Sequence, residues 1–237
     1  MDSAHLGISA KPMTWVVHLL GLAVSVLVLV WCIYFRGGLA FEATNKSLIF
    51  NIHPVLMLIG YIFVASEAIL VYKVLPIPKF YQKVVHLSLH LIALVLGAVG
   101  IYAAFKYHNE SGIVNLYSWH SWLGLGTICL FAIQWLVGFF SFFFPGAPDS
   151  VRGSLLPWHV LFGLLVYLFA IAAAELGFLE KLTFLESSGL YKYGSEAMLV
   201  NFTALAVLIF AVFVILSAIL PAEEEPEGYT TIETAAP

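Results

Sequence analysis

Read from its amino terminus, the chain alternates six times between a long apolar stretch and a short polar one. Runs near 14–35, 49–72, 84–106, 119–143, 157–178 and 197–220 each approach the roughly 20 residues needed to cross about 30 Å of hydrocarbon. The charged residues fall between them. A bilayer offers no water to satisfy backbone N–H and C=O groups, so such runs must be α-helical. The pattern therefore predicts an all-α membrane protein with six transmembrane helices. Composition agrees: the chain is 62% hydrophobic and 10% charged, against about 25% charged in a soluble domain. The first run follows Lys11, flows into Arg36 and has no small-residue cleavage site, which marks a first span rather than a removed leader. The expected division is an amino-terminal tail at 1–13, a transmembrane domain at 14–220 and a disordered acidic tail at 221–237. That last segment carries Glu223, Glu224, Glu225, Glu227 and Glu233 and much of the net charge of −4.

Cys32 and Cys129 both lie inside apolar runs and read as packing residues, not as a disulfide or a thiolate metal site. Nothing basic or interleaved with aromatics suggests nucleic acid. Six spans put both termini and the loops 73–83 and 144–156 on one side. The basic residues then divide evenly: Lys11, Lys73, Lys79, Lys83 and Arg152 against Arg36, Lys46, Lys106, Lys181 and Lys192. Two glycosylation-type sequons, at Asn45 and Asn109, both fall on the second side and lean towards that side being lumenal or external.

Candidate chemistry resides in the histidines. Seven of the eight lie in or beside the apolar runs, where an ionisable residue is costly and reads as functional. His53, His86, His120 and His159 occur near the starts of spans two, three, four and five. Successive spans run in opposite directions, so His53 levels with His120 at one face and His86 with His159 at the other. Pro54 and Pro157 suit first helical turns, where no donor is needed. Spans four and five share a phrase, Trp119-His120-Ser121-Trp122-Leu123-Gly124-Leu125 and Trp158-His159-Val160-Leu161-Phe162-Gly163-Leu164. A glycine one turn beyond each histidine would let a flat macrocycle lie against the backbone. Imidazoles paired at matched depth across a four-helix bundle of spans 2–5 suit two b-type haems, each iron held from both sides. By the rise per residue, the two levels in spans four and five lie roughly 25 Å apart.

A histidine-lined metal or proton transporter is the alternative from a different class. It would be expected to place carboxylates near the histidines, but the intramembrane acids Glu67 and Glu175 are not one turn from any candidate. His90 lies one turn below His86 on the same face, so spacing alone allows either; depth favours His86. His18, alone in span one, reads as a hydrogen-bonded packing residue.

Lys79, Lys83, His86 and His90 recur at four, three and four residues and form one stripe leading from solvent to the histidine level. Arg152 ends at the same surface. These cations could neutralise haem propionates, snorkel towards lipid headgroups, or dock a small anionic reductant. On the opposite face, Lys106-Tyr107-His108 closes span three, and Tyr117-Ser118-Trp119 opens span four. His108 there could bind an anion or accept a proton; the aromatics fit an interfacial belt.

These residues make the chain similar to the cytochrome b561 family, especially its plant members, over nearly all of 14–220. The matching phrases are Tyr34-Phe35-Arg36-Gly37-Gly38, Phe50-Asn51-Ile52-His53-Pro54, Lys83-Val84-Val85-His86, Tyr117-Ser118-Trp119-His120-Ser121-Trp122-Leu123-Gly124, Pro157-Trp158-His159 and Glu196-Ala197-Met198-Leu199-Val200-Asn201. The resemblance implies a homodimer with two haem b per chain, ligated by His86 with His159 on the cytoplasmic side and His53 with His120 on the other. It implies an ascorbate-dependent oxidoreductase carrying electrons from cytoplasmic ascorbate to monodehydroascorbate or ferric chelates. Lys79, Lys83 and Arg152 fall where the family binds ascorbate, and His108 where it binds substrate outside. Both termini would be cytoplasmic, in the tonoplast or another endomembrane, with the plasma membrane as an alternative. The loop around Ser187-Ser188-Gly189 matches no family phrase. A haem subunit anchoring a quinol-oxidising complex is a further rival.

Overall fold

The structure, a computed structural model, describes residues 10–221. Six long helices carry the chain: α1 Ala10–Phe35, α2 Ser47–Val74, α3 Lys79–Ser111, α4 Trp119–Phe143, α5 Asp149–Ser187 and α6 Ser195–Ile219. Among the described residues there is no strand, and each helix is long and apolar enough to cross a membrane. The first nine residues and the acidic tail after Pro221 lie outside the described residues.

The helices outrun the apolar segments that announce them. The 33 residues of α3 and 39 of α5 reach about 50 and 58 Å at 1.5 Å per residue, well beyond the hydrocarbon. Hydropathy registers only the part of a helix that lipid covers. Polar turns such as Lys79–Lys83 and Asp149–Arg152 continue the helix into the headgroup region, and the expected loop 144–156 shrinks to 144–148. Pro157 is consequently not in a first turn; it lies inside α5, eight residues past Asp149.

Local chemistry sets the helix ends nearest the histidines. Ser118 caps α4, accepting from the Ser121 backbone N–H in a reciprocal capping box immediately before His120. Gly112 ends α3 in the left-handed conformation that a helix C-cap favours. Between α1 and α2, Gly37 and Gly38 take φ of +85° and +115°. The buried Asn51 side chain donates to the carbonyls of Gly38 at 2.8 Å and Arg36 at 3.2 Å. This clasp fixes the turn two residues before His53. Beyond Pro54, which removes a backbone donor, α2 widens into a π-helical stretch, Leu56–Phe63.

Helices α2 to α5 form the bundle that contains the paired histidines, and α1 packs with α6 alongside it. The outer pair is tied to the bundle at both ends. At one end Arg36 pairs with Glu196, whose second oxygen accepts the Trp31 indole N–H at 3.0 Å; Trp31 in turn packs on Phe178 of α5. At the other, Lys73 donates to the Leu220 carbonyl at 2.6 Å and the Ala10 N–H to that of Pro221 at 3.0 Å. Midway, His18 of α1 meets Glu67 of α2, Nδ1 to Oε1 at 3.0 Å, so His18 is hydrogen-bonded.

Glu196 is only 6% exposed, and removing one partner of a buried ion pair strands the other. Glu196→Ala is expected to cost about 3 kcal/mol, read as a lower melting temperature of the purified protein in detergent; Trp31→Phe should cost less.

Candidate functional site

Four imidazoles meet as two diagonal pairs. The ring centres of His53 on α2 and His120 on α4 are 5.8 Å apart, and those of His86 on α3 and His159 on α5 are 6.3 Å apart. An iron bonded to one nitrogen of each ring at about 2 Å separates the ring centres by about 6 Å. Both gaps have that width.

Three of the four rings are also turned and tautomerically fixed for such a bond. His53 Nδ1 lies 3.0 Å from the Gly100 carbonyl, His86 Nδ1 2.8 Å from that of Ala68, and His120 Nδ1 2.8 Å from that of Ala173. A carbonyl only accepts, so each Nδ1 carries the proton and each Nε2 keeps a lone pair free. The acceptors are Gly100, Ala68 and Ala173, small residues that let one helix backbone reach the side chain of the next. His159 differs. Its Nδ1 meets the side-chain amide of Gln134 at 3.0 Å, and that amide nitrogen also donates to the His159 carbonyl at 2.6 Å. Only with the amide turned over, losing the carbonyl bond, would Gln134 accept from Nδ1 as the carbonyls do.

Glycines complete the fit, and only one of the two expected does so. At Gly124 a Cβ would meet nothing within 4 Å, and this residue borders a cavity of about 570 Å³ beside His53 and His120. At Gly163 the corresponding space is filled, with the Gln134 amide 3.3 Å from a would-be Cβ. The glycines that seat the rings are Gly138 and Gly177. A Cβ at Gly138 would lie 3.0 Å from His159 Cε1, and one at Gly177 2.7 Å from His120 Cε1. A sequence signal exists: His120 precedes Gly138, and His159 precedes Gly177, by the same 18 residues. Eighteen residues is five turns, about 27 Å, so on antiparallel α4 and α5 each histidine faces the other helix's glycine.

No three His, Cys, Asp or Glu side chains come together as a bare-ion site among the described residues. An iron between either pair would therefore need its other ligands from a planar prosthetic group, and a macrocycle in the cavity beside Gly124 suits that need. His90 stands beside the second pair, its ring 4.5 Å from His86 and 5.3 Å from Phe131, with Nδ1 buried and unpartnered.

The expected substrate residues surround these pairs. Lys83 donates to the Phe142 carbonyl at 3.3 Å, and the Phe142 ring lies 5.2 Å from that of His159. Lys79 is exposed at the start of α3. Arg152 is engaged by Asp149 one turn earlier on α5, a partner the sequence pattern does not single out. At the other end His108 lines the cavity with Tyr107 and Tyr117, its Nδ1 3.2 Å from Asn115 Oδ1. Asn115 donates to Asn109 at 2.7 Å, which ties the α3–α4 loop to the end of α3 beside the cavity. Lys181 of α5, outside the expected set, also lines this cavity.

A family model described as eukaryotic cytochrome b561 matches residues 52–185, the segment holding all four paired histidines. Over 229 residues the chain is 67% identical to a probable ascorbate-specific transmembrane electron transporter 1 of Oryza sativa subsp. japonica, covering 96% of this chain and 98% of that protein. It is 66% identical over 229 residues to an ascorbate-specific transmembrane electron transporter 2 of Zea mays, covering 96% and 97%. With transmembrane ascorbate ferrireductase 1 of Arabidopsis thaliana the identity is 58% over 211 residues, covering 89% and 88%.

The glycine contacts predict an asymmetric pair of variants. Gly177→Val should displace the His120 ring and weaken hemin uptake by the purified apoprotein by about tenfold or more, the usual cost of disturbing a ligand's support. Gly124→Ala, which adds a methyl group to open space, should change it little.

Proposed function

The chain belongs to the eukaryotic cytochrome b561 family, and from that premise we propose that it carries electrons across a membrane from ascorbate through two b haems to an acceptor on the opposite face. His86 with His159 would hold the haem on the cytoplasmic side, and His53 with His120 the other. The observation that carries this reading is the width of the two imidazole gaps, 5.8 and 6.3 Å. The relatives' printed names, ascorbate-specific electron transporter and ascorbate ferrireductase, support the donor. Monodehydroascorbate and ferric chelates are the proposed acceptors.

Haem held between the paired imidazoles would supply a one-electron iron couple. The protein's part is position and electrostatics. Carbonyls on the neighbouring helices hold the Nδ1 protons of His53, His86 and His120, so each ring presents Nε2 and cannot swing away. Gly138 and Gly177 let the His159 and His120 rings press against the facing helix. Lys79, Lys83 and Arg152 draw ascorbate monoanion towards the His86/His159 end, where Lys83 lies next to the Phe142 segment that touches His159. An arriving anion would share Arg152 with Asp149. At the far end His108, its Nδ1–H donated to Asn115, keeps Nε2 to take a proton or, once protonated, to donate to an anionic acceptor.

The termini are proposed to be cytoplasmic, which puts Asn45 and Asn109 on the lumenal or external side. A homodimer in the tonoplast or another endomembrane, or in the plasma membrane, completes the reading.

A visible spectrum of the purified protein tests it. Bands of six-coordinate b haem should appear, and ascorbate should reduce them. Haem that dithionite reduces but ascorbate does not would turn the reading to a quinol-linked subunit, and a colourless protein to a transporter. Lys83→Ala should raise the ascorbate concentration for half-maximal reduction rate about tenfold, near the 1.4 kcal/mol that such a change represents.

A further inference from the structure

Five cations belong to the His53/His120 end, and four of them already have carboxylates. Arg36 pairs with Glu196, Lys46 with Glu110 at 2.6 Å, Lys106 with Glu42 at 2.8 Å, and Lys192 with Glu186 at 4.0 Å. The fifth, Lys181, has no ion pair among the described residues. Its ammonium lies 4.1 Å from the centre of the Phe50 ring and 6.0 Å from that of Tyr107, and the residue lines the cavity that borders His53 and His120. Aromatic faces attract a cation without neutralising it. Glu196 is held by Arg36 and the Trp31 indole, and Glu180, on the same cavity wall, takes the Ser118 hydroxyl at 3.0 Å and forms no ion pair with Lys181. Lys181 thus lines the cavity without an ion pair of its own, close to a carboxylate that Arg36 already holds. A partly buried, unpaired charge is costly unless something pairs with it.

Its position says what that partner could reach. Lys181 follows Gly177 by four residues, so it shares the α5 face that receives the His120 ring and lies one turn nearer the membrane surface. On the other wall Phe50, which the ammonium covers, is 5.9 Å from the His53 ring. The charge therefore stands just outside the paired imidazoles, on the route from the cavity mouth at His108.

We infer that Lys181 is an anion seat, receiving a carboxylate or enolate oxygen in the cavity at the His53/His120 end. Two sources share that chemistry: a propionate of the haem proposed there, and an anionic electron acceptor. The inference rests on the haem reading above and adds a residue to it.

The test uses the full-length protein with Lys181→Met and Lys181→Arg, and Lys181→Gln should the methionine variant not fold. The midpoint potential of each haem is measured, together with KM and kcat for ferricyanide, an anion, and hexaammineruthenium(III), a cation. If the seat holds the acceptor, Lys181→Met raises KM for ferricyanide about tenfold, as expected for one lost charge-assisted hydrogen bond, leaves hexaammineruthenium unchanged, and Arg restores it. If it holds a propionate, the methionine variant lowers the potential of one haem only, because loss of a cation favours the oxidised iron, and Arg restores it. Potentials and KM values all within twofold-equivalent error of wild type, or equal slowing with both acceptors, overturn the inference alone. A wild-type protein without haem bands overturns it together with the reading on which it rests.

Discussion

Three hydrogen bonds from imidazole Nδ1 to backbone carbonyls on neighbouring helices hold the bundle's helices as two pairs, α2 with α3 and α4 with α5. A helix carbonyl is already engaged by its own helix, so a second donor reaches it most readily where the local side chain is small. Gly100, Ala68 and Ala173 meet that condition. Each bond ties a pair of helices together, sets a tautomer and aims an Nε2 into the bundle at once. Those bonds and the seats at Gly138 and Gly177 join α2 to α3 and α4 to α5; a further bond from the Ser66 hydroxyl to the Tyr167 oxygen at 3.0 Å links the two pairs across which the imidazoles face each other.

The two ends of the molecule are built differently around the same ligand type. Around His53 and His120 both rings rest on carbonyls, and a cavity opens towards His108 and Lys181. Around His86 and His159 one ring rests on a carbonyl and the other on the Gln134 amide, with His90 and Phe142 packed close by. A carbonyl fixes the ring proton on Nδ1 and frees Nε2, whereas the Gln134 amide does so for His159 only when turned over. The asymmetry between the two imidazole pairs is created by the chain's own residues.

Charge follows the same division. At the His86/His159 end Lys79 and Lys83 lie on one stripe of α3, visible as a periodicity. At the far end most cations are spent on carboxylates at the surface, and the one that matters to the cavity comes from a helix whose numbering gives no hint of it. Glu42 and Glu110, far apart in sequence, both converge on Lys106, whereas Lys181 lines the cavity over the Phe50 ring.

How much of this was legible in the chain itself depends on the range of the interaction. Hydropathy and the prohibition on unsatisfied backbone in lipid determined six helices, and alternating direction determined which histidines share a level. Both are local or one-dimensional arguments, and both required no contact to be known. Helix ends were misjudged at α5 because hydropathy stops where lipid stops, whereas the backbone hydrogen bonds that continue α5 past Pro157 do not. The glycine one turn beyond each histidine is visible along a single helix, whereas Gly138 and Gly177, which seat the facing imidazole rings, lie five turns away and act on the neighbouring helix. The carbonyl partners of the imidazoles, the Gln134 contact, the Asp149 hold on Arg152 and the place of Lys181 were decided only by tertiary structure. Each depends on which residues of different helices come within hydrogen-bonding or ring-contact distance, and no period within a single helix encodes that.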